Sequence, residues 1–161
     1  MGSGKSTIGY RLAQSLDWAF CDTDKQIEEA TGADIPWIFE KEGEAGFRRR
    51  ERTALLDSLG RRGSIVSTGG GVVELAENRA DLIASDAFVI YLKATPAELA
   101  RRVGNDPNRP LLQGDDPVAV LTRLLNRRGA WYEAVASHTA HTDRMNPKTL
   151  SDSLLERIAT L

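Results

Sequence analysis

The chain opens on Gly2-Ser3-Gly4-Lys5-Ser6-Thr7, most of the pattern G-x-x-x-x-G-K-[ST], and runs directly into a helical pattern through Leu12, Ala13 and Leu16. This restricts the fold more than any other feature. A glycine-rich turn leading into a helix N-terminus offers backbone N–H groups and a positive dipole end to an anion. Lys5 is placed to reach terminal phosphates and the Ser6 hydroxyl to bind Mg²⁺. The pattern's first glycine would fall two places before Met1, so the reading expects a chain lacking the strand that leads into such a loop, and poorly stable for want of it.

The rest of the chain alternates. Helical patterns cover Lys5 to Leu16, Asp24 to Thr31, Ile35 to Glu40, about Glu42 to Leu59, Leu75 to Ala84, Pro96 to about Val103, Val118 to about Arg128, Trp131 to Ala136, and Pro147 to Ala159. Strand patterns cover Trp18 to Cys21, Ser64 to Ser67, Ala87 to Leu92 and, weakly, His138 to Thr142. Residues 104–117 are rich in Gly, Pro, Asn and Asp and read as a mobile lid. Strands alternating with helices predict an α/β fold, a parallel sheet covered on both faces, with its ligand beyond the carboxyl ends of the strands. Residues 1–161 read as one domain.

Composition narrows the partners. A formal net charge of −2 argues against a nucleic-acid protein, so the arginine clusters at 48–50, 101–102 and 127–128 read as anion sites or solvated helix faces. A single cysteine, Cys21, permits no intrachain disulfide and suits a reducing cytoplasm. No stretch has the length of a membrane span.

Residues just after the strands carry the candidate chemistry. Asp22 and Asp24 bring carboxylates to a strand end, either to hold a metal-bound water and take a hydroxyl proton or to cap the following helix. Arg48 shares a helix face with Glu51 in Phe47-Arg48-Arg49-Arg50-Glu51, which suits either bidentate capture of a carboxylate or a surface ladder. Gly69-Gly70-Gly71 offers N–H groups to a ligand or makes a tight turn. Arg109, in Asn108-Arg109-Pro110-Leu111-Leu112, is a lid arginine facing phosphate or a solvated one, and Arg128 is a cation beside Trp131 and Tyr132. His138 and His141 have no metal-ligand spacing, and Trp37 and Trp131 read first as packing residues.

Taken in order, M-G-S-G-K-S-T, D-T-D at 22–24, F-R-R-R-E at 47–51, S-T-G-G-G-V-V from Ser67, N-R-P-L-L from Asn108 and R-R-G-A-W-Y-E from Arg127 resemble the shikimate kinase family over essentially the whole chain. The resemblance implies a three-layer P-loop kinase fold with sheet order 2-3-1-4-5, its first strand missing here. It also implies ATP-dependent phosphorylation of the 3-hydroxyl of shikimate, with Mg²⁺, by a cytoplasmic monomer that binds neither nucleic acid nor membrane. It assigns ATP to Gly2, Ser3, Gly4, Lys5, Ser6, Thr7, Arg109 and Met145, and the metal to Ser6 with Asp22 nearby through water. Shikimate falls to Asp24, Arg48, Gly70 and Arg128, with a substrate-binding region of about 23–51, and catalysis to Lys5, Asp24 and Arg109. A gluconate-kinase-like enzyme would share the arginine clamp but is disfavoured by the D-T-D, G-G-G and R-P-L-L set. A ligand-sensing domain of a regulator is disfavoured by intact catalytic motifs and the lack of a helix-turn-helix segment.

Overall fold

A computed structural model describes residues 2–103 and 116–160. Helix α1, Lys5–Leu16, leads to strand β1, Ala19–Asp22, and helix α2, Thr23–Thr31. Helix α3, Ile35–Leu59, starts on Asp34, whose carboxylate accepts from the Trp37 N–H at 2.9 Å, with Pro36 in the first turn. It is two helices in one. Gly43, at φ 68° and ψ −178°, breaks the helical path and separates the two segments that the sequence pattern predicts.

Strand β2, Ser64–Ser67, and helix α4, Ala76–Ala84, precede strand β3, Ile90–Lys93. Helix α5 is Pro96–Val103, α6 Pro117–Val135, strand β4 His138–His141 and helix α7 Pro147–Ile158. Asp116 and Asn146 cap α6 and α7 through their side chains, each followed by proline in the first turn.

Three expectations change. Strand β3 begins at Ile90 rather than Ala87, because pairing starts only where the Val89 carbonyl accepts the N–H groups of Ser137 and His138. Helix α6 runs unbroken through Gly129, where the backbone stays helical and a side chain would meet open space. The end of the expected lid, Asp116 and Pro117, is the cap and first turn of α6. The remainder of that lid, including Arg109, lies outside the described residues.

β1 pairs in parallel with β2, Ala19 opposite Ser64 through Asp22 opposite Ser67, and β3 pairs in parallel with β4, Ile90 opposite His138 through Lys93 opposite His141. No ladder joins β2 to β3 among the described residues. The two pairs correspond to the neighbours 2-3 and 4-5 of the expected order 2-3-1-4-5.

Side chains alternate across the strands as a two-faced sheet requires. Ile65, Ile90, Leu92 and Ala140 pack with Ile8 and Leu12 of α1 and Leu150 and Leu154 of α7. On the other face Val89 joins Leu55, Leu82, Trp131 and Val135, Tyr91 stacks on Tyr132, and Cys21 meets Ser58. The result is three layers, with the carboxyl ends of β1 and β2 opening beside the start of α1. Gly9 permits the tight approach of α1, because a Cβ there would lie 2.8 Å from the Phe20 ring. Trp131 is a packing residue as expected, with the Arg79 guanidinium 4.6 Å over its ring, whereas Trp37 is half exposed and packs little.

Candidate active site

The turn before α1 is built by backbone conformation. Gly4 sits at φ 91° as the N-cap of the helix and provides no side-chain cap, so the N–H groups of the first turn are not claimed by one. Gly2, at φ 68°, is hemmed in as well: a Cβ would stand 2.8 Å from Val103 Cγ2 and 3.0 Å from the Leu99 carbonyl. The turn opens on a cavity of about 690 Å³, a size suited to a small-molecule ligand. Residues 2–8, Asp22, Asp24, Ser67, Thr68, Gly69 and Gly70 line it together with Glu98, Arg101, Arg102, Thr142, Arg144, Met145, Pro147 and Leu150. The cavity therefore gathers most of the residues singled out by sequence, Met145 included.

Asp22 does two things. Its Oδ1 accepts from the Asp24 N–H at 3.1 Å and the Lys25 N–H at 3.4 Å, which makes it the cap of α2, and its Oδ2 accepts from the Ser6 hydroxyl at 3.2 Å. A hydroxyl and one carboxylate at a phosphate-binding turn suit Mg²⁺, which takes one or two protein oxygens and fills its shell with phosphate and water. No group of three acidic, histidine or cysteine side chains that could hold a metal occurs among the described residues.

Asp24 is no cap. Burial, and secondarily the negative Asp22, raise its carboxyl above the ordinary aspartate range, against the opposing pull of Lys5 and Arg48. Glu51 is buried to 1% exposure, and burial raises its carboxyl too, although Arg48 donates to it at 2.6 Å. Asp24 Oδ1, Glu51 Oε1 and Arg48 Nε are buried without a hydrogen-bond partner among the described residues. Gly69 lets the two carboxylates come together, since a Cβ on it would lie 2.8 Å from Asp24 Oδ1 and 2.9 Å from Glu51 Oε1. Unsatisfied buried polar atoms are costly, so three of them in one place mark where a polar ligand belongs.

Arg48 and Arg128 are not in the cavity wall but stand behind it. The Arg48 guanidinium packs so tightly over Gly71 that a Cβ there would overlap it. It is held by Glu51 and by Glu44 at 3.3 Å. The ladder alternative applies to its neighbour, Arg50, which pairs with Glu42 at 2.7 Å in a partly exposed position. Arg128 is 13% exposed, donates to Glu74 at 2.6 Å, and has Tyr132 beside it, whose hydroxyl donates to the Gly70 carbonyl. Gly70 thus brings its carbonyl to α6 while its N–H remains on the loop that lines the cavity.

Sequence reasoning overlooked three groups. Glu74 follows the glycine run directly, and an acid so close to a candidate anion site was the available signal. Tyr132 was noted only as an aromatic neighbour. Arg102 reads from sequence only as part of a cluster that is either an anion site or a solvated helix face; it donates to Glu98 at 2.8 Å and to Thr142 Oγ1 at 2.9 Å and lines the cavity. His138 and His141 sit in β4 away from it.

The family described as Shikimate kinase matches residues 1–159. The chain belongs to the shikimate kinase family. A shikimate kinase from Vibrio parahaemolyticus is 45% identical over 158 residues, covering 98% of this chain and 91% of that relative. One from Pseudomonas syringae pv. syringae is 45% identical over 161 residues, covering 100% and 93%. The solved structure of a shikimate kinase from Acinetobacter baumannii in complex with shikimate superposes with a TM-score of 0.93 at 41% identity, covering 99% of this chain and 89% of that one. A shikimate kinase from Bacteroides thetaiotaomicron superposes at 0.89 with 28% identity, covering 99% and 94%. The fold is therefore that of the P-loop kinases of this family, and the activity is ATP-dependent phosphorylation of shikimate. No helix among the described residues is long and apolar enough to cross a membrane.

Proposed function

We propose that the 3-hydroxyl of shikimate is phosphorylated in the cavity between α1 and the ends of β1 and β2, with residue roles as follows. The N–H groups of residues 2–7 cradle the ATP phosphates, and Lys5 neutralises charge on the terminal ones. Arg102 and Met145 line the same cavity and would contact the nucleoside. Mg²⁺ would be held by Ser6, with Asp22 nearby through water, and supplies charge neutralisation on the phosphates. Asp24 binds and deprotonates the attacking hydroxyl. A new bond joins the 3-oxygen to the γ-phosphorus, the bond to the β–γ bridging oxygen breaks, the hydroxyl proton goes to Asp24, and ADP leaves. A raised carboxyl suits a group that must accept that proton. Arg48 and Arg128 take the carboxylate of shikimate with help from the Gly70 N–H. Arg109, outside the described residues, carries its role of neutralising transferred charge from family resemblance alone. A monomer in the cytoplasm completes the reading, in keeping with a lone buried thiol.

The observation that carries this assignment is the trio of orphaned buried atoms, Asp24 Oδ1, Glu51 Oε1 and Arg48 Nε, grouped behind the phosphate turn. Two acceptors and one donor match a ligand with hydroxyl groups and a carboxylate. A coupled assay with ATP and Mg²⁺ tests it. Shikimate should stimulate ADP release far more than gluconate or nucleoside monophosphates, and equal turnover with gluconate would refute the acceptor assignment.

A further inference from the structure

Glu74 joins two consecutive arginines that a helix would otherwise point apart. Adjacent residues on α6 are about 100° apart around the axis, yet Oε2 of Glu74 accepts from Arg127 at 2.6 Å and Oε1 accepts from Arg128 Nε at 2.6 Å. The carboxylate is 8% exposed, Arg128 13% and Arg127 59%. It does not float on a loose loop. Asn78 donates to the Val72 carbonyl at 2.9 Å, and Arg79 Nη1 donates to the carbonyls of Val73 at 2.6 Å and Glu74 at 3.1 Å. The backbone on both sides of Glu74 is thereby tied to α4. On its other side the guanidinium of Arg128 is near Tyr132 and close enough to Glu51 to oppose in part the rise that burial gives that carboxyl.

A guanidinium is planar, so a bond that fixes its Nε edge also fixes where its two Nη groups point. We propose that Glu74 is a positioning residue: anchored on the loop after the glycine run, it holds the plane of Arg128 so that the Nη fork faces the acceptor's carboxylate. This rests on the proposed role of Arg128 in binding shikimate. Although burial pushes the Glu74 carboxyl up, the hydrogen bonds and charges of Arg128 and Arg127 carry it below the ordinary glutamate value, so it stays ionised around neutrality. Arg127, mostly exposed, occupies the second oxygen and keeps the carboxylate from rotating away.

Direct binding of two probes separates this role from a structural one: shikimate, and shikimate with its carboxylate replaced by a carboxamide. Glu74→Gln keeps shape and loses charge, and it is expected to weaken shikimate binding by roughly tenfold or more, the scale of a charge-assisted hydrogen bond. Its affinity for the carboxamide and its ATP KM should be unchanged, while its melting temperature should fall at neutral pH, where the ionised carboxylate paired with two arginines contributes stability. Glu74→Asp, too short to reach both arginines, should fall between, and provides the same comparison should the amide fail to fold. Glu133→Gln, which removes an exposed charge from the same helix, should leave both affinities alone. Unchanged or tighter shikimate binding in the Glu74 variants, or equal weakening of both probes, would overturn the positioning role. Wild-type protein that binds no shikimate would overturn the acceptor assignment and this role together. Wild-type protein that binds both probes equally would show that no carboxylate clamp exists to be positioned.

Discussion

Gly69 stands so close to Asp24 that a single methyl group on it would lie 2.8 Å from Asp24 Oδ1, with Glu51 Oε1 at 2.9 Å on the same methyl. The absence of a side chain at residue 69 is thus a condition for the carboxylate pair, and a separate matter from backbone freedom. Gly69→Ala should push both carboxylates out of register. Displacing a reacting group by about 1 Å costs on the order of 10²-fold in rate, so kcat should drop by roughly that amount while the ATP KM holds. Steady-state kinetics with each substrate varied in turn would check this. An alanine variant with wild-type kcat would mean that Asp24 tolerates displacement and is not the proton acceptor.

Asp24 also links activity to stability. Its carboxyl is raised by burial and by Asp22, with Lys5 and Arg48 opposing and Glu28 and Glu51 adding negative charge nearby. A carboxyl whose folded value is raised contributes stability below its ordinary value near 3.8, and loses that contribution as pH rises through the raised one. Ionised Asp24 is therefore a burden on the folded state around neutrality. In metal-free buffer Asp24→Asn should melt higher than wild type at pH 8, and the gap should close as pH falls below 4. The same variant should lose on the order of 10²-fold or more in kcat, the scale of general-base catalysis. Thermal melts across pH with matched kinetics test both halves, and a lower melting temperature at pH 8 would contradict the burial argument.

How far the sequence reaches into this site depends on the distance over which each feature is determined. Helix α1, the α2 cap and strand β2 are local, specified by a glycine turn, a capping acid and a short apolar run, and they appear where the pattern places them. The break in α3 falls at Gly43, just inside the second of the two expected segments. Strand β3 is not local. Ala87 and Phe88 have strand character, but only the partner strand decides that pairing begins at Ile90. The same limit applies to the carboxylates. Arg48 and Glu51 are three residues apart on one helix and announce their bond, whereas Glu74 and Arg128 are 54 residues apart and their contact needs α6 laid against the glycine loop. Trp37 illustrates the reverse error, an aromatic taken as core that the fold leaves half exposed.

Arg48 should resist even a conservative change. Its guanidinium lies over Gly71 with no room for a Cβ and is bonded to Glu51 and Glu44. Arg48→Ala should weaken shikimate affinity by about 2–5 kcal/mol, the range for breaking a buried charge pair at a binding site, and Arg48→Lys, which keeps the charge but gives up the planar fork, should also weaken it. Gly71→Ala should reproduce a good part of that loss from the opposite side by displacing the guanidinium. Calorimetric titration with shikimate gives both numbers directly. Weakened ATP binding with shikimate affinity intact would place Arg48 at the wrong substrate.

Ser6 and Asp22 offer a test of the metal that needs no structure of the loaded enzyme. The Ser6 hydroxyl donates to Asp22 Oδ2 at 3.2 Å, and the same carboxylate caps α2 through Oδ1. On the proposed role, Ser6→Ala would take away one metal oxygen and leave the cap and the phosphate turn in place. Turnover should then require more Mg²⁺ to reach half its maximum, by about tenfold or more for one lost coordinating group, with shikimate affinity unchanged. Asp22→Asn retains an oxygen for the cap, so α2 should persist in circular dichroism while the Mg²⁺ requirement rises. A Mg²⁺ titration of turnover in both variants, together with the melting curves, separates metal binding from capping. If neither variant shifts the Mg²⁺ midpoint, the metal is held by the nucleotide alone and Asp22 is only the cap.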